Sequence, residues 1–124
     1  MTAIELIENT IEYYKTHPRA IGPNKMCSYK SPEGNMCAVG RWVDWKNLPE
    51  GYEETLNSKG SIVNFTNKEL KEILLPEVKN IPLELWDDLQ GYHDYTLNIE
   101  SNTESTIEIK QKELVEKYKN PIFA

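Results

Sequence analysis

The chain has 124 residues, enough for one domain over 1–124 with a real core, and its lean 39% hydrophobic content is offset by three Trp, seven Tyr and two Phe. Twenty acidic and fourteen basic side chains are interspersed and leave a net charge of -6, which excludes a binder of the nucleic-acid backbone built on a positive face. No apolar run is long enough to span a bilayer, and the first residues lack the features of an export signal, so the expected setting is the cytoplasm, with reduced thiols.

The first predicted element is a helix over 2–16. Thr2 and Glu5 form a capping box, and Ile4, Ile7, Ile11 and Tyr14 recur at helical spacing as a stripe expected to cover a sheet. His17-Pro18 ends it, because the residue before proline is driven out of helical geometry. A connector over 19–25 carries Gly22-Pro23-Asn24. Then comes a stretch that reads as a β-hairpin over about 26–39, turning at Pro32-Glu33-Gly34-Asn35. With an odd loop, Cys27 faces Cys37, and Tyr29 and Val39 share their face.

Beyond Gly40, residues 41–46 read as a short helical turn with Trp42 and Trp45 on one side. Residues 47–65 read as a long loop, with a short strand at 61–65. A second capping box, Thr66 and Glu69, opens a helix to about Leu75 that Pro76 stops. Pro82 suits the first turn of a helix running to about Asn98, with Leu85, Leu89 and Tyr92 as its buried stripe and Trp86, Gln90, His93 and Leu97 one row over. Gly91 within it suggests close packing. A polar break at 101–105 precedes a last helix over about 106–119. The expected fold class is therefore α+β: a small antiparallel sheet centred on the hairpin and packed against about four helices.

Three chemistries fit the side chains. A metal site would draw on Cys27, Cys37 and His93, with His17 as a fourth ligand, but nine residues between the cysteines match no common zinc spacing. Cysteine catalysis would use Cys37 as nucleophile, His93 as base and Gln90 to orient it. Adjacent residues on an α-helix diverge by about 100°, which sets Asp94 aside as the orienting group. A binding pocket would use Tyr29, Trp42 and Tyr92 to stack a planar ligand, Arg41 to take an anion, and Gln90, His93 and Asp94 to read polar edges, a set that suits a nucleotide. Asp87 and Asp88 read as a solvated face. No phosphate loop, zinc helix or nucleophile elbow is present, and no cofactor is expected.

At these residues the chain resembles a family of small proteins of phage genomes and bacterial hosts. Its pattern is a hairpin C-x-Y-x4-G-x2-C-A-[VI]-G followed by a helix bearing L-Q-x2-H-D. The first is matched by Cys27, Tyr29, Gly34, Cys37, Ala38, Val39 and Gly40, and the second by Leu89, Gln90, His93 and Asp94. After the glycine the family pattern has a small residue, two apolar residues and a proline. Here the chain reads Arg41-Trp42-Val43-Asp44 and reaches proline at Pro49. The resemblance implies a small cytoplasmic phage-type accessory protein, in the host cytoplasm if phage-encoded, acting in counter-defence. Such a protein captures a nucleotide-like immune signal or occludes a host defence protein. It implies no catalysis, and it leaves a homo-oligomer open.

Overall fold

A computed structural model describes residues 1–21, 28–97 and 102–119. Helix α1 (Ala3–Tyr14) starts where its capping box requires: Thr2 Oγ1 accepts from Glu5 N at 3.1 Å, and Glu5 Oε1 accepts from Thr2 N at 2.9 Å. Its fully buried face is Ala3, Leu6, Ile7 and Thr10, rotated from the expected stripe; Ile4 and Ile11 are only partly buried. The Thr10 hydroxyl donates to Leu6 O at 2.8 Å, so burying it leaves no donor unmatched. The helix packs on other helices rather than on a sheet.

Four more α-helices follow among the described residues: α2 (Tyr52–Lys59), α3 (Asn67–Ile73), α4 (Leu83–Gly91) and α5 (Glu104–Tyr118). Short 3₁₀ turns at Gly40–Trp42, Trp45–Asn47, Ile62–Asn64 and Pro76–Val78 join them, and a π turn, Tyr92–Thr96, continues α4. The centre is α4, which packs against α1 and the Ile62–Asn64 turn and whose Leu85, Trp86 and Leu89 are fully buried in the core. At its other side α5 is tied down by Lys117, which pairs with Glu84 at 3.0 Å and Asp88 at 2.8 Å, and by Tyr118 OH, which donates to Asp88.

This corrects the expected α+β class. No strand, sheet or hairpin forms among the described residues, and the architecture is helical. Chain reversal at Pro32-Glu33-Gly34-Asn35 does occur: Gly34 takes φ +87, Ser31 N donates to Asn35 O at 2.8 Å, and Lys30 and Met36 form one isolated antiparallel bridge. A hairpin needs the ladder to continue outward. After Cys37 N donates to Tyr29 O at 3.1 Å, Arg41 N and Trp42 N turn instead to Cys37 O and Val39 O at 3.2 and 2.9 Å. The outward ladder donors are used elsewhere, Tyr29 N on Asn57 Oδ1 at 2.8 Å and Val39 N on Gln90 Oε1 at 3.1 Å, so the described arms do not continue the pairing. Met26, Cys27 and the proposed pairing of the two cysteines lie outside the described residues.

Gly40 is the point that makes this coil possible. A Cβ there would sit 2.0 Å from Tyr29 O, a separation no side chain tolerates. The second isolated bridge, Val43 with Leu74, brings the end of α3 under the tryptophan segment: Asp44 N donates to Ile73 O at 2.7 Å and Leu75 N to Trp42 O at 2.9 Å.

Other boundaries shift for local reasons. The stretch 47–65 holds α2 and a 3₁₀ turn where a loop and a strand were expected. Helix α2 buries only Leu56, too little for a periodic signal, and is entered through Gly51 at φ +80. Thr66 and Glu69 cap α3 as expected. Thr103 accepts from Thr106 N at 3.3 Å and starts α5 at Glu104, within the segment read as a break. Gly91 lies in open space rather than close packing: nothing stands within 4 Å of a Cβ built there. No helix among the described residues is long and apolar enough to cross a membrane.

Candidate functional site

The hydrogen bonds of three side-chain groups define the site. Asn57, on the exposed face of α2, accepts from Tyr29 N through Oδ1 at 2.8 Å. Gln90, on α4, accepts from Val39 N through Oε1 at 3.1 Å. Asp94, on the π turn, holds His93 Nδ1 through Oδ1 at 2.6 Å. All three line one cavity of about 460 Å³, together with Tyr29, Asp87 and Tyr95. That volume lies within the range of small-molecule clefts, about 300–1,000 Å³. The lining carries two carboxylates and no basic side chain among the described residues.

The π turn explains why His93 and Asp94 meet. Adjacent side chains on a regular α-helix diverge, but here the widened turn over 92–96 lets the carboxylate reach the imidazole of its neighbour. The helical-wheel argument that set Asp94 aside is therefore corrected, and it is Asp94, not Gln90, that orients His93. The other ring nitrogen, Nε2, accepts from Ala20 N at 3.1 Å. An acceptor at Nε2 requires the proton to sit on Nδ1, so the ring is a neutral bridge between Asp94 and the backbone of residue 20. Arg19 completes the clamp, donating from Nε to His93 O and from Nη2 to Asp94 O, each at 2.7 Å. His93 is fully buried, with Tyr14 packed at 5.3 Å between ring centroids.

Cys37 is equally enclosed. Its thiol accepts from Gly40 N at 3.2 Å, and burial pushes its pKa up to about 12, outweighing the hydrogen bonds that favour the thiolate. At neutral pH it is a protonated, buried group. Burial also raises Tyr29, whose hydroxyl donates to Gly60 O at 2.7 Å. Of the metal alternative, Cys27 is outside the described residues. Among the described ones no group of three His, Cys, Asp or Glu side chains is placed to hold an ion.

The remaining expected site residues lie elsewhere. The Arg41 guanidinium stacks 4.2 Å from the Tyr13 ring centroid and 5.2 Å from that of Trp42, and Nη2 donates to Asn9 Oδ1. Its Nε and Nη1 are buried without an acceptor among the described residues, and burial lowers its pKa. Neither Arg41 nor Trp42 lines the 460 Å³ cavity. Tyr92 is buried, its hydroxyl accepting from Gln111 Nε2 on α5 at 3.0 Å. The structure thus gathers Tyr29, Gln90 and Asp94, seals His93 behind them, and separates Arg41, Trp42 and Tyr92 from them.

Asn57 and Asp87 are among the lining residues that escaped the sequence. Asn57 sat in a stretch with no visible helical phase. Asp87 was read as half of a solvated acidic pair, but the pair divides: Asp87 faces the cavity, and Asp88 binds Lys117 and Tyr118. Compared with protein-family models, curated proteins and solved structures, the chain matches none of them.

Proposed function

We propose that this is a non-catalytic binding protein of counter-defence type, which captures a nucleotide-like host signal in the cavity between α2, α4 and residues 28–29. The observation that carries this reading is the fixing of the cavity's polar groups from behind. Asn57, Gln90 and Asp94 each spend one oxygen on an interior donor, so their orientation is set before any ligand arrives. Tyr29 supplies an aromatic wall and Tyr95 a ring at the mouth, exposed to 75%.

Cysteine-dependent hydrolysis or transfer is the less supported alternative. It asks for a thiolate and a free base, and here the thiol is buried and protonated and both imidazole nitrogens are engaged. Occlusion of a host protein is the other form of the counter-defence role. It would use the exposed Tyr95 and Val63 as contacts.

Calorimetry with GMP, AMP and a cyclic dinucleotide tests the proposal. Saturable binding is expected for at least one, weakened at least about tenfold by Gly91→Leu, whose side chain enters the open space beside the helix. Absence of binding for all three contradicts capture of such a signal.

A further inference from the structure

Resting on that reading of the cavity, we infer that its seat is built for the edge of a guanine-type base, with the phosphates left outside. The polarity of the lining follows from its own hydrogen bonds. Because a backbone N–H can only donate, the Tyr29 N contact fixes the Asn57 amide with Oδ1 turned inward, and the Nδ2 donors are what remains for a ligand. The Val39 N contact fixes Gln90 in the same way. Asp94 gives Oδ1 to His93, which leaves its second oxygen as an acceptor, and Asp87 adds another carboxylate.

The cavity therefore offers carboxylate acceptors, an amide donor and aromatic faces, and its described lining has no basic side chain. A phosphate there would meet two negative charges, and no described lining side chain would offset them. The matching ligand group places adjacent N–H donors beside a carbonyl oxygen on a flat ring. Guanine does this with its N1–H, its exocyclic amine and O6. Adenine lacks the carbonyl and carries an acceptor where guanine has N1–H, so it leaves a donor or a carboxylate of the site unmatched, and unmatched buried polar groups are what discriminate between such analogues.

Calorimetry on the full chain with guanosine, inosine, adenosine and GMP tests this. Guanosine should bind at least about tenfold more tightly than adenosine, inosine should fall between them, and GMP should match guanosine within about threefold. Asn57→Asp keeps an oxygen for Tyr29 N but exchanges the donor for an acceptor. It should weaken guanosine at least about tenfold, with an unchanged circular dichroism spectrum and melting temperature reporting an intact fold. Equal affinity for the nucleosides, a preference for adenosine, or GMP binding more than about tenfold tighter than guanosine overturns the base-edge assignment and leaves a nucleotide-binding cavity standing. Failure of all four probes to bind overturns both.

Discussion

Gly40→Ala should be among the most damaging single methyl additions in this chain. The new Cβ would lie 2.0 Å from Tyr29 O and 2.9 Å from Tyr29 C, against backbone rather than a flexible side chain. Relief requires the two segments to separate by about 1 Å, which breaks the 3.1 Å bond from Cys37 N to Tyr29 O. Leaving that buried pair unsatisfied costs about 1–3 kcal/mol, and overpacking the surrounding core costs about 1–3 kcal/mol more. The expected loss is thus about 2–6 kcal/mol, a large share of the roughly 5–15 kcal/mol that holds a domain folded. Gly91→Ala is the matched control. Its backbone is helical at φ -61 and its Cβ meets open space, so it should stabilise by about 0.5–1 kcal/mol. Urea titration followed by tryptophan fluorescence measures both. A loss below about 1 kcal/mol at Gly40 would refute the close approach on which the coil after Cys37 depends.

Two further outcomes follow from the buried groups. Between the unfolded thiol pKa near 8.5 and the folded value of about 12, the native chain holds a Cys37 proton that the unfolded chain releases. Stability should therefore fall as pH rises from about 9, with Cys37 contributing up to about 1.4 kcal/mol per pH unit, and Cys37→Ala should flatten that slope; identical slopes in urea titrations at pH 9 and 10 would contradict it. His93→Ala removes the acceptor of Ala20 N and the donor to Asp94 and opens a cavity, so it should cost about 3–5 kcal/mol in the same assay. A loss under about 1 kcal/mol would mean that the imidazole is not the bridge described.

Local chemistry was legible in the sequence and long-range placement was not. The capping boxes at Thr2/Glu5 and Thr66/Glu69 depend on residues three apart, and both form. The reversal at Pro32-Glu33-Gly34-Asn35 was equally readable, because Gly34 answers a local need for positive φ. Whether a turn grows into a hairpin depends on where the following donors go, and here Tyr29 N goes to Asn57 and Val39 N to Gln90. Nothing in an alternating pattern records that choice. Helix α2 was hidden because a single buried leucine makes no stripe.

The site divides in the same way. Leu89-Gln90 and His93-Asp94 lie at the end of α4 that borders the cavity, but the π turn alters the angle between adjacent side chains and turns a pair judged unable to meet into a 2.6 Å contact. Arg41 had the right chemistry for an anion. Its packing between Tyr13 and Trp42 is a matter of how α1 lies across the Gly40–Trp42 turn, which no spacing along the chain encodes. The cavity draws on residues 28–29, 57–62 and 87–95, which only the fold brings together.

The most direct test of the account is a guanosine titration followed by amide nuclear magnetic resonance. Shifts should concentrate at Ser28, Gly60, Ser61 and Gly91, the backbone that borders the cavity. Shifts centred instead on Asn9, Tyr13, Arg41 and Trp42, or no shifts at any residue, would contradict the claim that this cavity is the binding site.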